Sequence, residues 1–254
     1  MAGPDATVTA FITDASQDPH SYQADTRDQL ALSRASVVIE NGGGYDDFMN
    51  TMLRATSNHN ARVLNAVSIS GFKPIDGELN EHVWYDFATM RRLVGDLVSA
   101  LSAADPKDAA GFRTRGAAFT AQLTTLAEKA AIVHTVDAGQ PVAITEPVPL
   151  YLLSACGLVN KTPEAFSIGV ENGTDVSASV LQQTLNLFSQ KQVRALVYNE
   201  QTSGPETTSV INAAKANGIP VVPVTETLPA GMTYLSWMQA NITAISGALS
   251  GPNR

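Results

Sequence analysis

The sequence predicts an α/β protein of two lobes, each built of strand–helix units around a mainly parallel sheet and joined by one long helix. Three observations lead there. Short apolar, β-branched runs alternate with segments of helical periodicity along the whole 254-residue chain. One stretch, from Lys107 to about Asp137, carries Phe112, Phe119, Leu123, Leu126, Ala130 and Val133 without a proline, and a helix of that length spans about 45 Å. Beyond it the strand–helix alternation starts afresh. The lobes are then residues 1–105 and 139–254, with the linking helix at 106–138.

Each element has its own signal. Thr7 to Thr13 alternates as a strand, Thr26 to Ala35 reads as a helix, and Ser36 to Glu40 is a short buried strand by its length and branching. Gly42, Gly43 and Gly44 release the chain into Tyr45-Asp46-Asp47, whose acids suit a first helical turn. Residues 62–69 supply another strand. Met90, Leu93, Val94, Leu97, Val98 and Leu101 form one helical stripe that Asp105-Pro106 ends. After the rod come a strand at 141–145, helices at 149–156 and 176–190, and a strand at 195–199. A helix at 205–217, a strand at 221–225 and a helix from about Met232 to Leu249 complete the chain.

Composition excludes several roles. With 24 acidic against 16 basic residues the formal charge is -8, and no Lys/Arg stripe exists to follow a phosphate backbone, so nucleic acid is not an expected partner. No run of eighteen apolar residues spans a bilayer, and Met1-Ala2-Gly3-Pro4-Asp5 has no signal-peptide pattern. The single cysteine, Cys156, allows no disulfide within one chain and decides nothing about compartment. Asn41 to Gly44 lacks the pattern of a nucleotide-binding loop.

Four polar side chains stand just after apolar strands or at helix starts: His20, His82, Glu146 and Glu226, two in each lobe. Imidazole nitrogen and carboxylate oxygen are the donors a divalent transition metal prefers, and four of them make a closed site that leaves no position for a catalytic water. Spacing alone does not separate such a set from four solvated loop residues, since it lacks the local density of a Cys-x-x-Cys pair or a His-Glu-x-x-His helix. His59 and His134 read as a loop residue and a helix-face residue. Trp84, Tyr85, Tyr234 and Trp237 read as packing that keeps water from the ligands.

The wording around the four residues resembles the metal-binding solute-binding proteins of ABC transporters, the cluster A-I or zinc/manganese family, over essentially the whole chain. Asp18-Pro19-His20-Ser21-Tyr22 is similar to the family's first-ligand motif, and Ser36 to Gly44 to the strand and glycine turn that follow it. His82-Val83-Trp84-Tyr85-Asp86 resembles the second-ligand motif, and Thr145-Glu146 with Tyr151 and Gly157-Leu158 the third. Ile219 to Leu228, followed by Met232-Thr233-Tyr234, resembles the fourth, where members usually carry aspartate and this chain has Glu226.

The resemblance implies an extracytoplasmic protein, periplasmic or tethered at the cell surface as a lipoprotein. It would capture Mn²⁺ or Zn²⁺ between its lobes through His20, His82, Glu146 and Glu226 and deliver the ion to a permease as a monomer, touching the membrane only through a lipid anchor or that permease. The ion is cargo, and no catalysis is expected. Two carboxylates lean toward Mn²⁺, while Zn²⁺ ranks higher in raw affinity. Residues 73–81 lack the histidine-rich loop of many zinc members. Family members also carry a strand and helix before the segment resembling Pro4 to Thr13, so the first lobe is expected to lack its opening unit and to leave a sheet edge uncovered. The stiff rod implies little hinge motion, which puts ion release on the loops at 73–81 and 199–206. The alternatives are a metal-dependent hydrolase using Glu171 or Asp46 as base, and a surface adhesin on the same fold.

Overall fold

The computed structural model describes residues 2–4, 6–14, 17–74 and 79–251. They fall into two compact units, Met1–Thr125 and Leu126–Arg254. The boundary lies inside one continuous helix.

The first unit opens with a short 3₁₀ turn, Pro19–Ser21, and helix α1, Thr26–Arg34. A reciprocal capping box starts α1: Asp25 Oδ1 accepts from the amides of Arg27 and Asp28, while Asp28 Oδ2 accepts from the Asp25 amide. Strand β1, Val37–Glu40, helix α2, Asp47–Ala55, and strand β2, Arg62–Asn65, form a strand–helix–strand crossover. The two strands pair in parallel, from Val37 opposite Arg62 to Glu40 opposite Asn65. Leu32, Val38, Met49 and Met52 are the core that α1 and α2 close. Asn65 ends β2 by accepting the Ser68 amide at 2.8 Å, which starts helix α3, Ala66–Ser70, where periodicity reads a longer strand. Helix α4, Phe87–Ala104, begins at an Asp86 cap and ends at Asp105-Pro106. Helix α5 runs unbroken from Ala109 to Asp137, burying Phe112, Leu123, Leu126, Ala130 and Val133 along one stripe.

Thr7 to Thr13 is not a strand. Its alternation is real, but among the described residues no strand pairs with it and Val8 is 78% exposed. An alternating run needs a ladder partner and a face to bury.

In the second unit strand β3, Pro141–Ile144, is followed by helix α6, Leu150–Ala155, strand β4, Val159–Asn160, and helices α7, Glu164–Glu171, and α8, Ala178–Ser189. Strand β5, Leu196–Asn199, helix α9, Pro205–Ala216, strand β6, Val221–Val224, and helix α10, Tyr234–Leu249, follow. All strands are parallel, in the order β4-β3-β5-β6. Val142, Ala143, Ile144 and Leu196 have no exposed surface, as expected of parallel strands covered on both faces. On one side Phe166, Phe188, Val210 and Ala214 gather. Chain order reverses between β3 and β5, and at such a switch point a crevice opens beyond the strand ends. The two-residue β4 and the eight-residue α7 give too short a pattern to read from periodicity.

Candidate metal centre

In the first unit both histidines stand around one aromatic ring. Asp18 shapes the 3₁₀ turn, its Oδ1 accepting the His20 amide at 2.9 Å and its Oδ2 the Ser21 hydroxyl at 2.9 Å. Ser21 is thereby committed to Asp18. The exposed His20 ring meets Tyr45 edge-on, with centroids 5.1 Å apart. Tyr45 reaches that place through Gly42, Gly43 and Gly44, all at positive φ, a run only glycine tolerates without strain. A Cβ on Gly42 would collide with the Asn65 side chain, and one on Gly43 would lie 3.2 Å from Glu81 Cβ. Asp46 holds the turn, its carboxylate accepting the amides of Asn41 and Gly42 at 2.7 Å each. That duty occupies the Asp46 carboxylate, one of the two bases the hydrolase alternative would use.

His82 is fully buried. Its Nδ1 lies 2.7 Å from Asn80 Oδ1, and the same oxygen accepts the His82 amide at 3.1 Å. Because the amide hydrogen identifies that atom as oxygen, Nδ1 carries the ring proton and Nε2 presents a lone pair. Burial, with the nearby His20 charge second, pushes the His82 pKa down to about 3, so the ring is neutral at any physiological pH. Tyr45 and Trp84 flank it edge-on, at centroid distances of 6.1 and 5.1 Å. Trp84 follows in the Val83–Tyr85 turn and also leans on Tyr45 at 4.7 Å.

In the second unit the two predicted carboxylates stand beyond the strand ends. Thr145 and Glu146 follow β3 and are buried. The Asn199 amide donates to Thr145 Oγ1 at 3.0 Å, tying the ends of β3 and β5 together across the switch point. Asn199 Nδ2 reaches Glu226 Oε2 at 3.4 Å. Gln201 fixes the segment after β6: its Oε1 accepts the amides of Glu226 and Thr227 at 2.7 and 3.0 Å, and its Nε2 donates to Thr227 Oγ1 at 2.6 Å. The longer side chain at 226 is thus set on a pinned backbone.

In the first unit, then, His20 and His82 stand around Tyr45; in the second, Glu146 follows β3 and Glu226 follows β6, with β5 between them and its Asn199 bonded to Thr145 and to Glu226. Reading the sequence missed Asn80, Glu81, Asn41, Asn199 and Gln201. Asn80 had a signal in an Asx residue two positions before an amide it caps; the others act over distances that sequence does not display. His59 and His134 are exposed, His134 packing against Gly157. Of the 73–81 loop, residues 75–78 lie outside the described residues.

Solved structures share this architecture. A crystal structure of ZnuA is 20% identical, covers 98% of this chain and 93% of its own, and superposes with a TM-score of 0.77. The solute-binding protein FpvC from Pseudomonas aeruginosa in complex with Mn²⁺ gives 20% identity, coverage of 98% and 91%, and a TM-score of 0.77. TroA, a periplasmic zinc-binding protein of Treponema pallidum, gives 21%, 92% and 88%, and 0.72. By sequence, the manganese-binding lipoprotein MntA of Bacillus subtilis (strain 168) is 23% identical over 207 residues, which is 79% of this chain and 66% of that protein.

Two α/β units with parallel sheets are thus the fold that these solved structures share. The family model described as "ZnuA: Zinc-uptake complex component A periplasmic" matches residues 1–248. The chain belongs to that family, one of solute-binding transport proteins and not of enzymes.

Proposed function

We propose that this protein captures one divalent transition metal ion, Mn²⁺ or Zn²⁺, outside the cytoplasmic membrane and hands it to an ABC permease, with His20, His82, Glu146 and Glu226 as the donors. The observation that carries the reading is the Asn80–His82 pair. A fully buried, neutral imidazole whose Nδ1 is held by an amide oxygen is how proteins orient a histidine toward a metal. Two carboxylates supply the charge that balances a dication, and a site filled by protein donors keeps out hydrolytic water. The protein performs no chemistry on its cargo. Two carboxylates favour Mn²⁺, which suits oxygen donors, and Zn²⁺ competes in vitro.

The transport role assigns residues 1–105 and 139–254 to the two lobes and 106–138 to the helix linking them. It places the protein in a periplasm or, lipid-anchored, at a cell surface, acting as a monomer. No described helix is long and apolar enough to cross a membrane.

Elemental analysis of the purified protein after loading and desalting tests the reading. One equivalent of Mn²⁺ or Zn²⁺ is expected, with the metal lost in His82→Ala. Retention of a full equivalent by His82→Ala would remove the ligand assignment, and failure of the wild type to hold either ion would remove the function.

A further inference from the structure

Glu81 lies next to His82 in sequence but faces the other histidine. Its Oε1 is 3.8 Å from His20 Nε2. Several contacts set it there. Asn41 Nδ2 donates to the Glu81 carbonyl at 2.9 Å, and the Val83 amide donates to the same oxygen at 2.7 Å. Gly43, having no Cβ, lets the turn pass close to the Glu81 side chain. The glutamate side chain is only 15% exposed, and a carboxylate drawn that far from water costs free energy that a nearby cation offsets.

The separation suits a shared ion. Two donors each about 2.1 Å from a metal stand about 3.4 Å apart at a tetrahedral angle and about 4.2 Å apart when opposed. The observed gap lies inside that range, so a cation seated on His20 Nε2 is within reach of Glu81 Oε1.

We propose that Glu81 is a further oxygen donor to the captured cation, beside His20, and that it biases the protein toward oxygen-preferring ions of the Mn²⁺ class over Zn²⁺. The inference rests on the metal-capture reading above. Four donors complete a tetrahedral zinc site, whereas a fifth, anionic oxygen adds nothing tetrahedral zinc requires and moves the set toward the higher coordination and harder donors that suit Mn²⁺.

The test compares Mn²⁺ and Zn²⁺ binding by calorimetry in the wild-type chain, Glu81→Gln and His82→Ala. The expected result is a loss of about tenfold to a hundredfold in Mn²⁺ affinity for Glu81→Gln with Zn²⁺ affinity retained, while His82→Ala loses both. A parallel loss of both ions in Glu81→Gln would make Glu81 a mere support for His20, and no change in either would make it a surface ion pair; each overturns the inference and leaves the function standing. Absence of binding in the wild type would instead sink the function itself, and this inference with it. Should Glu81→Gln fold poorly, a wild-type crystal loaded with Mn²⁺ decides: a Glu81 oxygen about 2.2 Å from the ion supports the assignment, and one beyond about 3 Å rejects it.

Discussion

At the scale of single residues, the proposed centre depends on which nitrogen of His82 holds the proton. Asn80 decides that by offering one oxygen to both the ring and the backbone of His82. Asn80→Ala is expected to lower metal affinity by about tenfold to a hundredfold, because the ring then samples both tautomers and loses its aim. Asn80→Asp keeps an acceptor at that place and should retain most of the binding; calorimetric titration of the two variants beside the wild type checks the pair. His82 stood out in the sequence because His82 to Asp86 resembles a ligand motif, whereas Asn80 and Gln201 did not stand out. Their work is done through hydrogen bonds to particular atoms, and Gln201 reaches 25 positions along the chain to the Glu226 amide.

At the scale of elements, helix starts and strand ends set where each donor stands. The capping box of α1 shows how much a terminus rests on one charge. The amides of Asp28 and Arg27 that point at Asp25 hold its carboxyl below the usual carboxylate range. A carboxyl so depressed in the folded chain adds stability above its unfolded pKa, and that contribution drains away as the pH falls through the folded value. Asp25→Ala should therefore melt below the wild type at neutral pH, and the gap should close under strongly acidic conditions; thermal melts at both ends of that range measure it. The long α5 was readable because 29 residues with a helical apolar stripe and no proline leave no competing interpretation. Short apolar, β-branched runs were readable as strands whether one face is buried, as in β1 and β6, or both, as in β3 and β5. The 7–13 segment shows the opposite case: alternation specifies a strand only if something stands beside it.

For the whole molecule, fold class and family-level role were legible because apolar alternation and ligand motifs run the length of the chain. Arrangement within each unit was less so, since strand order depends on which edge each crossover chooses. Metal binding to the folded chain stabilises it by mass action, by about 2.7 kcal/mol at a free-ion concentration one hundred times the dissociation constant. Thermal denaturation should accordingly shift upward with Mn²⁺ or Zn²⁺ and return to the starting curve with a chelator. The His82→Ala variant should show no such shift. Scanning calorimetry with two ion concentrations would separate this from a nonspecific salt effect, which ignores the substitution.

Gln201 gives the second unit a further property. One glutamine side chain clasps the amides at 226 and 227 from a loop that follows a different strand. The backbone that carries the Glu226 side chain is therefore tied to that loop. Under the proposed function, a partner gripping the 199–202 segment would hold the footing of one donor, and unloading would ask for the slackening of a few polar bonds.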